Sequence, residues 1–211
     1  MPFFDQIAKR ASQMIRFTSV SSNTRVEFPA FITQFSDDYQ IQWGSQQIFG
    51  RVDPIKNYVS TGRRINASFD ILGRNEVIAL ENFKNYSRLV QMMYPVYSDP
   101  VGPNPKSRTI RAAPLMRIKY ANYIQSKVSD VGLLGCIGGV TFQPKFESGH
   151  FFSAQGDMIP LVYTMNFIFE PLHEEPLGYD TSGIPFDENF PYKQKDAVLI
   201  PRESGQDPLE D

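Results

Sequence analysis

FGRVDPIKNYVSTGRRINASFDIL, residues Phe49–Leu72, is the most informative stretch of the chain. Its second part alternates cleanly. Ile65, Ala67, Phe69 and Ile71 point one way and Asn66, Ser68 and Asp70 the other, the period-two pattern of a half-buried strand over 64–72. Its first part is rich in turn chemistry: Gly50, Asp53-Pro54, Asn57, Ser60, Thr61 and Gly62 predict a loop over 50–63. That loop carries Arg51, Lys56, Arg63 and Arg64, and it is longer than a plain hairpin needs. Nothing in the block is arranged to carry out a reaction. It reads as scaffold that presents a basic loop to a neighbour.

A helix follows directly. Asn75 is placed to cap it, Glu76 falls in its first turn, and Pro95 ends it. Over 76–94, Ala79, Leu80, Phe83, Tyr86, Val90, Met93 and Tyr94 recur at three- and four-residue spacing, opposite Glu81, Lys84, Asn85, Arg88 and Gln91. Residues 98–108 form a proline-rich loop ending at Arg108, a composition that cannot enter a sheet. Strand patterns resume over 113–124 (Met116, Ile118, Tyr120 on one face), 135–146 and 161–169 (Leu161, Tyr163, Met165, Phe167, Phe169 aligned). Upstream, 28–43 reads as β structure broken at Asp37-Asp38, with Phe31, Thr33 and Phe35 on one face and Ile41 and Trp43 beyond the break.

The termini read as appendages. Residues 3–17 fit a short amphipathic helix (Phe3, Phe4, Ile7, Ala11, Met14 and Ile15 on one side), joined to the body by a Ser/Thr-rich link through Thr24. Such a helix docks on a neighbouring subunit or folds back on its own domain. From 176 to 211 the chain thins into an extended arm whose acidic end, ESGQDPLED, has the composition of a disordered segment. The division is therefore 1–24 N-terminal helix and linker, 25–175 β domain with the 76–94 helix, and 176–211 arm. One helix beside consecutive strands gives an α+β fold, an antiparallel sheet or small barrel with the helix on one flank. It is not the alternating pattern of a dinucleotide-binding enzyme.

Composition narrows the function. The 211 residues are 41% hydrophobic and 21% charged, enough for one globular core with arms. A net charge of −2 and a pI near 5.7 lack the basic excess of a dedicated nucleic-acid binder. The single cysteine, Cys136, excludes an intrachain disulfide and a thiolate metal cage, and its setting, GLLGCIGG, predicts a small buried filler. The first residues lack the apolar run of a signal peptide and no segment has the length of a membrane span, so the expectation is a chain made in the cytosol that stays soluble or joins a soluble assembly.

The search for chemistry ends without a site. His150 and His173 have no ligand partners at metal spacing. Gly132, Gly135, Gly138 and Gly139 match no phosphate-cradle motif and precede a strand rather than a helix, which points to tight turning or close backbone packing. Neither a nucleophile elbow nor HExxH is present. The expectation is no catalytic, cofactor-binding or metal-ligating residues, and no cofactor. Arg51, Lys56, Arg63, Arg64 and Arg108, with Arg111, Arg117 and Lys119, fit surface charge or pairing with a neighbouring subunit better than a nucleic-acid face.

Taken in order, FGRVDPIKNYVSTGRRINASFDI, the helix ending LVQMMYPVY, APLMRIKYANYI, GLLGCIGGVTF and GDMIPLVYTMNFIFEPLHE resemble baseplate and tail-tube junction proteins of contractile-tailed bacteriophages, across residues 28–175. No LysM repeat, an extension some of those proteins carry, is visible. The resemblance implies a tail-tube-like β domain that assembles as a ring of six copies around a channel. Its implied partners are itself, the tail tube, the baseplate hub, and wedge or sheath-initiator proteins. It further implies a place in the virion tail after assembly in the host cytoplasm, with no membrane and with genomic DNA only as cargo passing through the lumen. On this reading Arg51, Lys56, Arg63, Arg64 and Arg108 are assembly contacts. Reversing Arg63 and Arg64 to Glu is then expected to block assembly and leave the monomer folded. A baseplate-associated cell-wall hydrolase and a nucleic-acid-binding module are the alternatives.

Overall fold

The computed structural model describes residues 14–99, 108–127, 131–153 and 156–192. Their main element is an antiparallel sheet of seven strands: β1 (Met14–Ser19), β2 (Arg25–Pro29), β3 (Phe31–Gln46), β4 (Ile55–Leu72), β7 (Met116–Tyr120), β8 (Leu133–Pro144) and β11 (Val162–Pro171). The spatial order is β2-β1-β7-β8-β11-β4-β3. Two small hairpins stand apart from it, β5 (Val96–Tyr97) with β6 (Ile110–Ala112) and β9 (His150–Phe152) with β10 (Met158–Pro160). One helix, α1 (Glu76–Met92), flanks the sheet. The expected α+β class with a single flanking helix is what the chain adopts. The sheet has two hydrogen-bonding edges, β2 and β3, yet β2 also touches β4, so it curls over its apolar face without closing.

Alternation builds the core. Along β4 and β11 the pairs Ile71↔Tyr163, Phe69↔Met165, Ala67↔Phe167 and Ile65↔Phe169 all face inward, and all eight residues are buried. β1, β2 and β7 add Ile15, Phe17, Val26, Phe28, Met116 and Ile118 to the same layer. Phe17 meets Phe28 and Phe167 edge-on at 6.2 and 5.6 Å, the geometry favoured by aromatic quadrupoles. At roughly 25 cal/mol per Å² of apolar area removed from water, this layer is the main source of stability.

The helix starts where Asn75 Oδ1 accepts from the Ile78 amide at 2.9 Å and closes at Met93, two residues before Pro95. It buries Ala79, Asn82, Leu89 and Met92, so the inward stripe is rotated from the expected one and leaves Tyr94 65% exposed. Tyr86 stacks on Phe142 of β8 at 4.4 Å. Tyr163 donates to the Asn82 carbonyl at 3.1 Å and ties helix to sheet.

Several sequence expectations are corrected. Residues 14–19, assigned to the end of an N-terminal helix and the start of its link, are strand β1: Ile15, Phe17 and Ser19 alternate with Met14, Arg16 and Thr18, and residues 20–24 turn the chain into β2. The rest of that expected helix, 1–13, lies outside the described residues, as do 193–211 of the C-terminal arm. β3 is not broken at Asp37-Asp38; both pair with β4. A bulge at Thr33 shifts the phase, so Ile32 and Phe35 face the core while Phe31 is 47% exposed. The expected loop over 50–63 is strand from Ile55 onward, and only 47–54 form the connection. Cys136 is exposed, because the inward position beside it belongs to Gly135.

Candidate functional site, a projecting hairpin arm

β3 and β4 outrun the rest of the sheet. β11 covers β4 only as far as Ile65, whereas β3 and β4 continue pairing to Gln46↔Ile55. The seven residues of β3 and eight of β4 beyond Tyr39↔Arg63 form a two-stranded ribbon that extends about 25 Å. Neither of its outer edges pairs with a strand among the described residues.

The ribbon has two unlike faces. Register carries the core face outward through Phe35, Asp37↔Ile65, Tyr39↔Arg63 and Ile41↔Thr61, and after a bulge at Val59 through Trp43↔Tyr58. Tyr39, Ile41, Trp43 and Tyr58 are between 42% and 60% exposed on that face. Trp43 and Tyr58 meet edge-on at 5.9 Å, a cross-strand pair that fixes the register locally. The opposite face carries Asp38↔Arg64, Gln40↔Gly62, Gln42↔Ser60 and Gly44↔Asn57. At the tip, Gly50 turns at a φ of +83°, and Phe49 and Val52 are fully solvent-facing.

The root of the arm is held by a buried ion pair. Arg63 donates through Nε to Asp37 Oδ1 at 2.8 Å and through Nη2 to Oδ2 at 2.7 Å. Asp37 Oδ2 also accepts from Tyr39 at 3.1 Å and from Tyr192 at 3.0 Å. The Arg63 guanidinium lies over the rings of Tyr39 and Phe190 at 5.5 and 5.3 Å. Residues 172–192 thus return as a strap across the root, where Tyr192 also packs against Phe35 and Tyr123. His173 sits edge-on to Phe190 at 5.8 Å; burial and then the nearby Arg63 charge hold its pKa below the usual 6.5, against an opposing pull from Asp37. Burial pushes the Tyr39 hydroxyl well above its ordinary range, so it remains a donor to Asp37.

The five basic residues singled out from sequence are scattered by this geometry. Arg51 is exposed at the tip and Lys56 on the ribbon. Arg64 is half exposed on the polar face, 4.0 Å from Glu170. Arg108 is exposed beside β6, in a separate hairpin. Arg63 is 6% exposed with its charge already matched inside the chain, so reversing it strands a buried carboxylate and is unsuited to testing assembly. The aromatic stripe Tyr39-Ile41-Trp43 was the signal passed over: its alternation is plain in the sequence but equally fits a core strand. Of the four glycines, Gly132 and Gly135 do mark close backbone approach, whereas Gly139 has open space around it.

No protein-family model matches this chain, and no curated protein matches it. A solved structure that does is a chain from the anti-feeding prophage (AFP) baseplate, determined by cryo-EM with six-fold symmetrisation. The two share 6% identity at a TM-score of 0.31, over 77% of this chain and 93% of that one. A likeness at this level fixes neither the fold nor the role of the present chain.

Proposed function

We infer that this chain is a structural component of a contractile, phage-type tail, joining the tail tube to the baseplate by self-association into a ring and by docking to neighbouring tail proteins. The observation that carries the reading is the arm: two strands whose outer edges pair with no other strand among the described residues, and one apolar face that is exposed there. A lone two-stranded ribbon is marginal in water, and unpaired edges invite further strands. On this reading the β4 edge of one copy pairs with the β3 edge of the next. Head-to-tail pairing between them is heterologous, so it closes into a ring when the rotation permits. Closure would satisfy the free backbone groups and cover the aromatic stripe together. The segment resemblance described above supplies the expectation of six copies, of tube, hub and wedge or sheath-initiator partners, and of action without turnover.

The chain has one tryptophan, and it lies on the apolar face of the arm. Titrating protein concentration while following Trp43 emission and sedimentation should show a blue shift that tracks formation of a uniform ring, visible by electron microscopy. Trp43→Glu, at a 56% exposed position, should leave the monomer folded and abolish the ring. A wild-type chain that stays monomeric at every concentration, or rings that form equally well from Trp43→Glu, would overturn the reading.

A further inference from the structure

β3 ends the sheet, and along its 16 residues the outer edge pairs with no further strand among those described. An edge of that length is a template for its own copy, since two identical strands can pair antiparallel about a two-fold axis. Such a dimer competes with head-to-tail pairing. The β3 ladder is regular from Gln34 to Gln42, between its two register shifts, and Asp38 is the centre of that run. Laying the run on its own copy therefore sets Asp38 opposite Asp38 on the axis, Ser36 opposite Gln40 and Gln34 opposite Gln42. On the other face Phe35 meets Ile41, and Asp37, already matched by Arg63, meets Tyr39. A slip of one residue would join unlike faces, and a slip of two leaves the Asp38 carboxylates as diagonal neighbours. Only the centre of this register is repulsive.

Asp38 is held where that repulsion acts. It is exposed on the polar face, and its Oδ2 accepts from Asn66 Nδ2 at 3.0 Å and from Ser36 Oγ at 3.3 Å. Its cross-strand neighbour Arg64 lies instead 4.0 Å from Glu170, on the β11 side. The two edges also differ in sign. β3 contains Asp37 and Asp38 and no Lys or Arg, and Arg63 pairs with Asp37. The outer part of β4, residues 55–64, contains Lys56, Arg63 and Arg64 and no Asp or Glu. Like charges directly opposite one another destabilise a cross-strand pair, and opposite charges stabilise it. We propose that Asp38 excludes a second β3 from the β3 edge and so keeps that edge for the basic β4 edge of another copy. The preference for β4 rests on the ring reading above; the exclusion of a second β3 does not.

Sedimentation equilibrium of the wild type, Asp38→Asn and Asp38→Lys tests the exclusion. Asp38→Asn keeps the shape and removes the charge, so it should dimerise about fivefold or more tightly than the wild type. The wild type should approach it in 0.5 M NaCl, where the screening length shortens to a few ångströms. Asp38→Lys restores like charges at the axis and should dimerise as weakly as the wild type. Cross-linking locates the axis once the exposed Cys136 is replaced by Ser. Asp38→Cys should form a disulfide with its own copy, whereas Gln42→Cys, about 27 Å from its counterpart in this register, should not. Asp38→Asn dimerising no more tightly than the wild type, Asp38→Lys dimerising as tightly as Asp38→Asn, or equal cross-linking at 38 and 42 would overturn the exclusion. Wild-type rings that persist unchanged in Asp38→Asn would also overturn it while leaving the ring reading in place. A wild type without rings whose Asp38→Asn variant dimerises would do the reverse.

Discussion

Arg63 and Asp37 form a doubly hydrogen-bonded ion pair, each side chain 3% exposed, at the point where the two-stranded arm leaves the sheet. Both residues face the core side of the ribbon, where the apolar layer gives out. The pair takes the place of two apolar residues there, and it adds what they could not: acceptors for Tyr39 and Tyr192, and a cation for the Phe190 ring. Arg63→Ala leaves Asp37 buried without its counterion. The expected loss is about 3–5 kcal/mol in urea denaturation. Arg64→Ala, at a half-exposed position with a 4.0 Å partner, should cost less than about 1 kcal/mol.

His173 gives the strap a pH dependence. Its folded pKa lies below 6.5, first through burial and then through Arg63, so the unfolded chain takes up a proton at higher pH than the folded one does. Stability from this group is therefore complete above the unfolded value and is lost as pH falls from about 6.5 through the depressed folded value. Denaturation midpoints measured from about pH 7.5 to 5 should decline in the wild type. In His173→Leu that decline should be flatter; an unchanged slope would remove His173 from the account.

Tyr163 joins packing and hydrogen bonding between β11 and α1. Its ring lies 4.8 Å from Phe142, and its hydroxyl, raised far above the ordinary tyrosine pKa by burial, donates to Asn82 O. Tyr163→Phe keeps the ring and removes the donor, with an expected cost of about 1 kcal/mol. Tyr163→Ala also opens a cavity and should cost about 3–5 kcal/mol. Chemical denaturation of the two variants separates the contributions.

Gly135 and Gly139 lie on the same strand and should differ in their response to alanine. A Cβ at Gly135 would stand 2.4 Å from the Glu170 carbonyl oxygen and 2.7 Å from the Phe169 ring, so β8 and β11 must part. That overpacking should cost about 1–3 kcal/mol. At Gly139 nothing lies within 4 Å, and the same change should be within about 0.5 kcal/mol of neutral. Thermal melts of both variants check the contrast.

What could be read beforehand follows from what alternation encodes. In β4, β7 and β11 the period-two pattern named the buried faces correctly, because a strand covered on one side must alternate. Asn75 and Pro95 likewise bracketed the helix, since capping and proline geometry act locally. Residues 50–63 misled for a related reason. Their Gly, Asn, Ser and Thr are turn formers in isolation, but long-range pairing with 39–46 holds most of them as strand. Residues 14–17 showed spacing that fits a helix, and pairing with both β2 and β7 made them a strand instead.

The alternating core and the capped helix are legible in the sequence, because each is written in neighbours a few positions apart. Which apolar stripe stays in water and which arginine does not is set by long-range contacts. Tyr39-Ile41-Trp43 has the pattern of a core strand and lies outside the core because β11 stops at Ile65. Arg63, one residue from the exposed Arg64, is buried because Asp37, 26 positions away, pairs with it and the strap closes over both. Burial depends on where other strands end and where the chain returns, and those distances along the sequence leave no local trace.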